Sequence, residues 1–346
     1  VSSSQISDRL IETLGASGLW SLKTLSKILN RKTLRNLGRY AGLLAGKVVA
    51  RREYETVRAQ LSFAQKSSAP LRNVTPEGLY RGVFKHIGES VAEILILEQL
   101  LKLSSPESAQ PTLYPGFMHI SQEGRELCVD LINSGKPYLS ISAHVGNFEL
   151  LAAYHIRSGI KASIVGRAPN FGFLHNWVQQ LRTDYGAESL MRPDEFTSSR
   201  AVSVALLNAF KHDRCLAVLL DQDTNLESEF APYFGLDAGF PAAPVRLAVR
   251  KNARIVTSFL VREGLFSYRV LSEEIEYNPE SKSAARDVLT VYSKRLERLV
   301  EQYPEQYLWF HRRWRRRPGV DYEREPEKLR GTKEYQRWIM EQEPVC

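Results

Sequence analysis

Pro137-Tyr138-Leu139-Ser140-Ile141-Ser142-Ala143-His144-Val145-Gly146-Asn147-Phe148-Glu149-Leu150-Leu151-Ala152-Ala153-Tyr154 is the stretch whose reading decides the fold. Pro137 to Ala143 has the apolar character of a buried β-segment. Gly146 and Asn147 are turn or cap residues, and Phe148 to Tyr154 opens a helix. Working outward, a helix precedes this unit near Ser121 to Ser134. A strand at Lys161 to Gly166, a helix at Phe173 to Tyr185, a helix near Thr197 to His212 and a strand at Cys215 to Asp221 follow it. After a long loop, Ala243 to Lys251 reads as a helix, Ile255 to Val261 and Tyr268 to Ile275 as paired strands around a turn at Gly264, and Ser283 to Gln302 as a long helix. Strands alternating with helices predict an α/β fold, a mixed and largely parallel sheet flanked by helices.

The rest of the chain divides around this core. Residues 1–103 read as a mostly helical N-terminal segment, membrane-associating and packed on the core, in which Gly88 to Leu103 carries apolar residues at helical spacing. Ser104 to Pro115 is a Ser- and Pro-rich connector, and residues 104–320 form the α/β core. Residues 321–346 are a charged C-terminal tail with a peripheral helix around Lys333 to Met340.

His144 and Glu149 are the first candidates for chemistry. On one regular helix, positions i and i+5 lie roughly 140° apart and share no face. With a turn between them, a carboxylate in the first helical turn can reach back to one imidazole nitrogen and leave the other for a substrate. An imidazole with an ordinary pKa of about 6.5 is a natural general base near neutrality, and a carboxylate partner fixes its tautomer. A His and a Glu at this distance also occur by chance, so the other segments decide. In α/β sheets the loops at the carboxyl ends of strands gather the active site. His144, Arg167 and Asp221 each follow a predicted strand.

The His-x4-Glu arrangement resembles the signature of glycerolipid-type acyltransferases, and most closely the late acyltransferases of lipid A biosynthesis. Four segments carry the resemblance in order. They are Ala143 to Glu149; Val165-Gly166-Arg167 with Asn170 and Leu181-Arg182; Leu219-Leu220-Asp221-Gln222-Asp223 with Pro232-Tyr233-Phe234-Gly235 and Pro241-Ala242-Ala243; and Pro304 to Trp314. They span roughly residues 75 to 320.

The resemblance implies transfer of an acyl chain from an acyl carrier protein thioester to a hydroxyl of a lipid A precursor or related lipid. His144 would be the general base and Glu149 its orienter. Amides of the Val145 to Asn147 turn, or a guanidinium from Arg167 or Arg182, would meet the oxyanion. Asn170, Asp221, Gln222 and Asp223 would line the substrate. Asp221-Gln222-Asp223 also admits a reading as a divalent-metal pair, but it lacks the further ligands such a site needs. Neither metal nor cofactor is expected, since the thioester supplies the leaving group and the chain has no phosphate-binding loop or zinc motif. A lysophospholipid, an amino-acid lipid or a glycolipid remains an alternative acceptor.

Composition bounds these readings. The chain has 346 residues, 43% hydrophobic and 25% charged, which is ordinary for a folded protein and excludes wholesale disorder. A net charge of +8 implies an acidic partner, for which anionic lipid, a carrier protein and nucleic acid all qualify. The tract His311-Arg312-Arg313-Trp314-Arg315-Arg316-Arg317 offers planar forks for head-group phosphates or an acidic carrier. Nucleic acid is disfavoured there, because no nucleic-acid module surrounds the tract and Trp309-Phe310 suits an apolar boundary. A non-enzymatic basic module for membranes or nucleic acid would explain the charge but not the His144, Arg167 and Asp221 loops.

Cys128, Cys215 and Cys346 show no metal spacing, and an odd count argues for a reducing compartment. No window is apolar enough to span a bilayer, and no secretory signal pattern is present. Leu19, Trp20, Leu22, Leu25, Ile28 and Leu29 share a helical face among Lys23, Lys27, Arg31, Lys32 and Arg35. That pattern suits an interfacial helix or, equally, a core helix with a solvated basic face. The expected location is the cytoplasmic face of the bacterial inner membrane, against its anionic surface.

Overall fold

Parallel strands need a returning crossover, and the chain supplies one after nearly every strand. The computed structural model describes residues 3–48, 51–103, 122–167, 172–192, 204, 206–208, 210, 214–223, 228–265 and 267–315. Four helices come first, α1 (Ser3–Ile28), α2 (Arg31–Val48), α3 (Arg51–Ser67) and α4 (Pro76–Leu103), followed by α5 (Gln122–Ser134). The core then runs β1 (Tyr138–Ser142), α6 (Phe148–Arg157), β2 (Ala162–Arg167), α7 (Gly172–Tyr185), β3 (Glu188–Arg192) and β4 (Cys215–Leu219). Next are β5 (Ser228–Tyr233), β6 (Leu236–Pro241), α8 (Ala243–Arg250), β7 (Arg254–Gly264), β8 (Ser267–Glu274) and α9 (Ala284–Gln302).

The main sheet has the order β3-β2-β4-β1-β7-β8, with β8 antiparallel to β7 and every other pairing parallel. This is the mixed, largely parallel α/β architecture that the alternation of elements predicts. Two elements depart from the expectation. Glu188-Ser189-Leu190-Met191-Arg192 is an edge strand too short and too charged to stand out by pattern. The loop expected after Asp221 contains a hairpin, β5 and β6, turning at Phe234 and Gly235 in left-handed conformation. Pro232 and Pro241 within those strands mask them, because proline is tolerated only where a strand lacks a ladder partner for its amide. The connector, the C-terminal tail and Cys346 lie outside the described residues, as does most of the helix expected at Thr197 to His212, of which 204, 206–208 and 210 are helical.

The two faces of the sheet differ in side-chain size, and that difference makes the site. One face carries Leu139, Ile141, Leu216, Val218, Ile255 and Phe259, packed against Val245 and Leu247 of α8 and Val288, Leu289 and Tyr292 of α9. The other carries Ser140, Ser142, Ala162, Ala217, Ser258 and Ser272 toward α5, α6 and α7. Small side chains on a sheet that packs about 10 Å from its covering layer leave space between them.

On the N-terminal side, α2 and α4 meet backbone to backbone. A Cβ on Gly88 would stand 2.0 Å from the Gly38 carbonyl oxygen, and one on Gly42 2.1 Å from that of Phe84. Leu19 and Leu22 of α1, and Leu29 just after it, pack inward, whereas Trp20, Leu25 and Ile28 are exposed, so the apolar stripe read from sequence is divided between core and solvent.

Candidate active site

β1 and β4 are parallel neighbours with Ser142 paired to Leu219. His144 and Asp221 each stand two residues beyond that pair, so the same register carries both side chains to the carboxyl end of the sheet. His144 Nδ1 lies 2.8 Å from Asp221 Oδ1. Asp221 is 1% exposed. Burial pushes its carboxyl up, but the charge of His144 and hydrogen bonds from its ring and backbone outweigh burial and hold the pKa below the usual carboxylate value. An ionised carboxylate can only accept, so in the neutral imidazole Nδ1 carries the ring proton and Nε2 keeps its lone pair.

Glu149 does not meet His144. Its carboxylate accepts from Arg182 Nε at 3.2 Å and Nη2, and from the Tyr185 hydroxyl at 3.1 Å. This corrects the expected pairing, and the turn supplies the reason. Asn147 caps α6 by accepting from the Leu150 amide, which starts the helix at Phe148. Phe148 then sets its ring edge-on to the imidazole, with centroids 5.1 Å apart, and the next residue points a helical step further round, toward α7. Arg182 is therefore bound to a carboxylate rather than presented to an oxyanion. Among the turn amides, that of Gly146 donates to the Gln306 carbonyl at 2.9 Å.

The turn is gripped from behind by a buried charge cluster. Arg262 on β7 donates to Glu93 at 2.6 and 2.7 Å, to Glu89 at 3.1 Å and to His86 Nδ1 at 2.7 Å. Because His86 Nδ1 accepts there, its Nε2 carries the proton and donates to the Gly146 carbonyl at 3.1 Å. Glu93, fully buried, also accepts from the Asn147 side chain at 3.1 Å. Arg35 and Arg39 of α2 close the cluster on Glu89 at 3.2 and 2.7 Å.

In front of His144 opens a cavity of about 810 Å³ between the small-residue face of the sheet and α5, α6 and α7. Phe148, Leu151, Ala152 and Ile156 line it from one stripe of α6, and Gln222 lines it beside Asp221. An apolar space of this size ending at a base with a fixed tautomer suits a chain-like apolar substrate whose reactive end is polar.

The family model described as bacterial lipid A biosynthesis acyltransferase matches residues 2–316. The chain belongs to that family. A lipid A biosynthesis palmitoleoyltransferase of Escherichia coli (strain K12) is 28% identical over 154 residues, covering 43% of this chain and 47% of the relative. A lipid A biosynthesis acyltransferase of Shigella flexneri aligns with the same figures, so the chain spans about half the length of the curated relatives it matches.

The remaining residues that suggested this acyltransferase family fall as follows. Arg167 ends β2, and Asn170 lies outside the described residues. Asp223 pairs with Arg315 at 3.5 Å, and its amide donates to His311 Nε2 at 2.6 Å. Arg313 is not a surface fork. It is 1% exposed, donates to the Gly239 carbonyl at 2.6 Å and lies 3.9 Å from the centroid of the Phe240 ring. Stacking over aromatic faces lets a guanidinium be buried there, which removes Arg313 from head-group or carrier binding. Arg312 and His311 stay half-buried at the surface, and Arg316 and Arg317 lie outside the described residues. Sequence reading missed His86, Glu89, Glu93 and Arg262. His86, Glu89 and Glu93 stand at helical spacing on α4, but α4 carries other charged residues and their partner Arg262 lies on β7.

Burial holds His155 and His311 at about 4 and His86 at about 3, with Arg262 adding to the effect on His86 and Arg313 to that on His311. Below pH 6.5 the unfolded chain protonates these imidazoles while the folded chain does not. Stability is therefore full above that pH and falls with acidification by about 1.4 kcal/mol per pH unit per histidine, down to the folded value. Urea midpoints should fall steadily from pH 7 to pH 4.5. Midpoints that do not change with pH would contradict the buried neutral state.

Proposed function

We propose that the protein transfers a fatty acyl chain from an acyl carrier protein thioester to a hydroxyl of a lipid A precursor. The observation that carries this reading is the His144–Asp221 pair at 2.8 Å at the head of the acyl-sized cavity. Nε2 of His144 takes the acceptor hydroxyl's proton as its oxygen attacks the thioester carbonyl. The tetrahedral intermediate collapses by expelling the thiolate, which takes that proton back from the imidazolium. Asp221 holds the tautomer and stabilises the imidazolium, and the enzyme forms no covalent intermediate. We assign the oxyanion to the Gln222 carboxamide beside Asp221 and to Arg167 at the end of β2. His311 and Arg312 face the head group or the carrier, and the net charge of +8 suits an acidic carrier.

The protein works at a membrane surface, on the cytoplasmic face of the inner membrane. None of the described helices is long and apolar enough to cross a bilayer. Trp20, Ile28, Tyr40 and Leu44 are 64–76% exposed on α1 and α2, beside Lys27, Arg31 and Lys32. Burial of two such side chains contributes about 1.5–3 kcal/mol each. Replacing Trp20 and Ile28 by serine should therefore weaken co-sedimentation with phosphatidylglycerol vesicles at least tenfold. Unchanged sedimentation would remove α1 from the interface.

The test of the reaction is transfer from labelled acyl carrier protein to a panel comprising a lipid A precursor, a lysophospholipid and an ornithine lipid precursor. Product on the lipid A precursor is expected. Product on another acceptor alone would change the substrate, and binding to anionic vesicles with no transfer would make the chain a binding module.

A further inference from the structure

The cavity runs the length of the strands. Its head is at His144 and Gln222, beyond the carboxyl ends of β1 and β4. Its foot is lined by Tyr138, Ala162, Cys215 and Val256, which stand at or near the amino ends of β1, β2, β4 and β7, with Cys128 of α5 closing over them. Tyr138 is the largest side chain there and 6% exposed. Before it, Gly135 and Lys136 are exposed and Pro137 is half-buried, so Tyr138 is the first fully buried side chain met from solvent along β1 at the foot of the cavity.

Four polar residues on the cavity wall, Cys128, His155, Ser258 and Ser272, bond to one another. Cys128 Sγ lies 3.6 Å from His155 Nδ1, His155 Nε2 lies 2.8 Å from Ser258 Oγ, and Ser258 Oγ lies 2.7 Å from Ser272 Oγ. This run of bonds joins α5, α6, β7 and β8 along the side of the cavity, and most of the remaining lining is apolar.

We propose that Tyr138 is the end stop that sets acyl-chain length, a specificity determinant within the acyl-transfer reading above. Six residue steps lead from Tyr138 to His144, roughly 20 Å at about 3.3 Å per residue. A zigzag chain with bonds of about 1.5 Å and angles near 111° advances roughly 1.25 Å per bond, so the span takes about 16 bonds from the reacting carbon to the stop. The side chains at both ends shorten that span, so the substrate class is a straight chain of about 12 to 16 carbons.

Two readouts test this, and they separate the stop from the chemistry. The first is competition among acyl carrier protein donors of 8 to 18 carbons. The second is displacement of a fluorescent fatty acid by free fatty acids of the same lengths, which needs no turnover. Wild-type affinity should rise roughly fourfold per methylene until the chain meets Tyr138, and then stop rising. Tyr138→Ala should lengthen the preferred chain by about four carbons, the depth of the removed ring. Ala217→Leu, placed half-way along the wall, should shorten it and guards against a Tyr138 variant that fails to fold. Wild-type chain profiles for both variants would overturn the stop while leaving acyl transfer standing. Shifts in displacement without any transfer by the wild type would support the stop and sink the acyl-transfer reading.

Discussion

His144→Ala is expected to abolish turnover, lowering kcat by about 10²–10⁴, while the protein stays folded and still binds fatty acid. A hydroxyl attacks a thioester slowly until a base takes its proton in the transition state, and His144 is the imidazole whose free nitrogen faces the cavity. The substitution removes that base without touching the sheet, because His144 lies beyond the last paired residue of β1 and is half-buried. Its backbone bond from carbonyl to the Leu308 amide, 3.0 Å, is kept by alanine. The pattern that checks the account is a lost kcat with an unchanged thermal midpoint and unchanged fatty-acid displacement. Wild-type turnover would move the base elsewhere.

Gly146→Ala should have the largest effect on the fold. Gly146 sits at φ +59°, and a Cβ there would stand 1.7 Å from the Leu260 carbonyl oxygen, a backbone atom of the central strand β7. Neither partner can yield easily: the Gly146 amide is held by Gln306 and its carbonyl by His86. A left-handed conformation alone costs an alanine about 1–2 kcal/mol, and the clash adds more. A total loss of about 4 kcal/mol or more is expected, a fall in Tm of roughly 10 °C. Because the turn joins His144 to α6, activity should disappear with it. A variant of wild-type stability would mean that the turn is not packed on β7 as described.

Local pattern carried much of this architecture. The strand, turn and helix from Pro137 to Tyr154 were readable because each signal lies within a few residues, and the parallel sheet follows from repeating that unit. The partner of His144 was not readable. Asp221 is 77 residues away, and only the in-register pairing of β1 with β4 sets both at the same height. From sequence alone, the nearer Glu149 competes for that role, and its commitment to Arg182 depends on how α7 packs on α6. Arg313 shows the same limit. A run of arginines reads as a surface tract, and what buries one of them is the ring of Phe240, far along the chain. The cluster of Glu93, Arg262 and His86 behind the His144 turn likewise joins α4 to β7, and no pattern within α4 alone points to Arg262.

The most direct test of the central claim is the rate of acyl transfer to a lipid A precursor by Asp221→Asn beside the wild type. An asparagine keeps the shape but can donate to Nδ1, which lets the proton move to Nε2 and leaves no base toward the substrate. The account predicts a loss of about 10³–10⁴ in kcat with KM little changed, the scale seen when a buried aspartate that fixes a catalytic histidine is neutralised. Transfer by Asp221→Asn at the wild-type rate would contradict it.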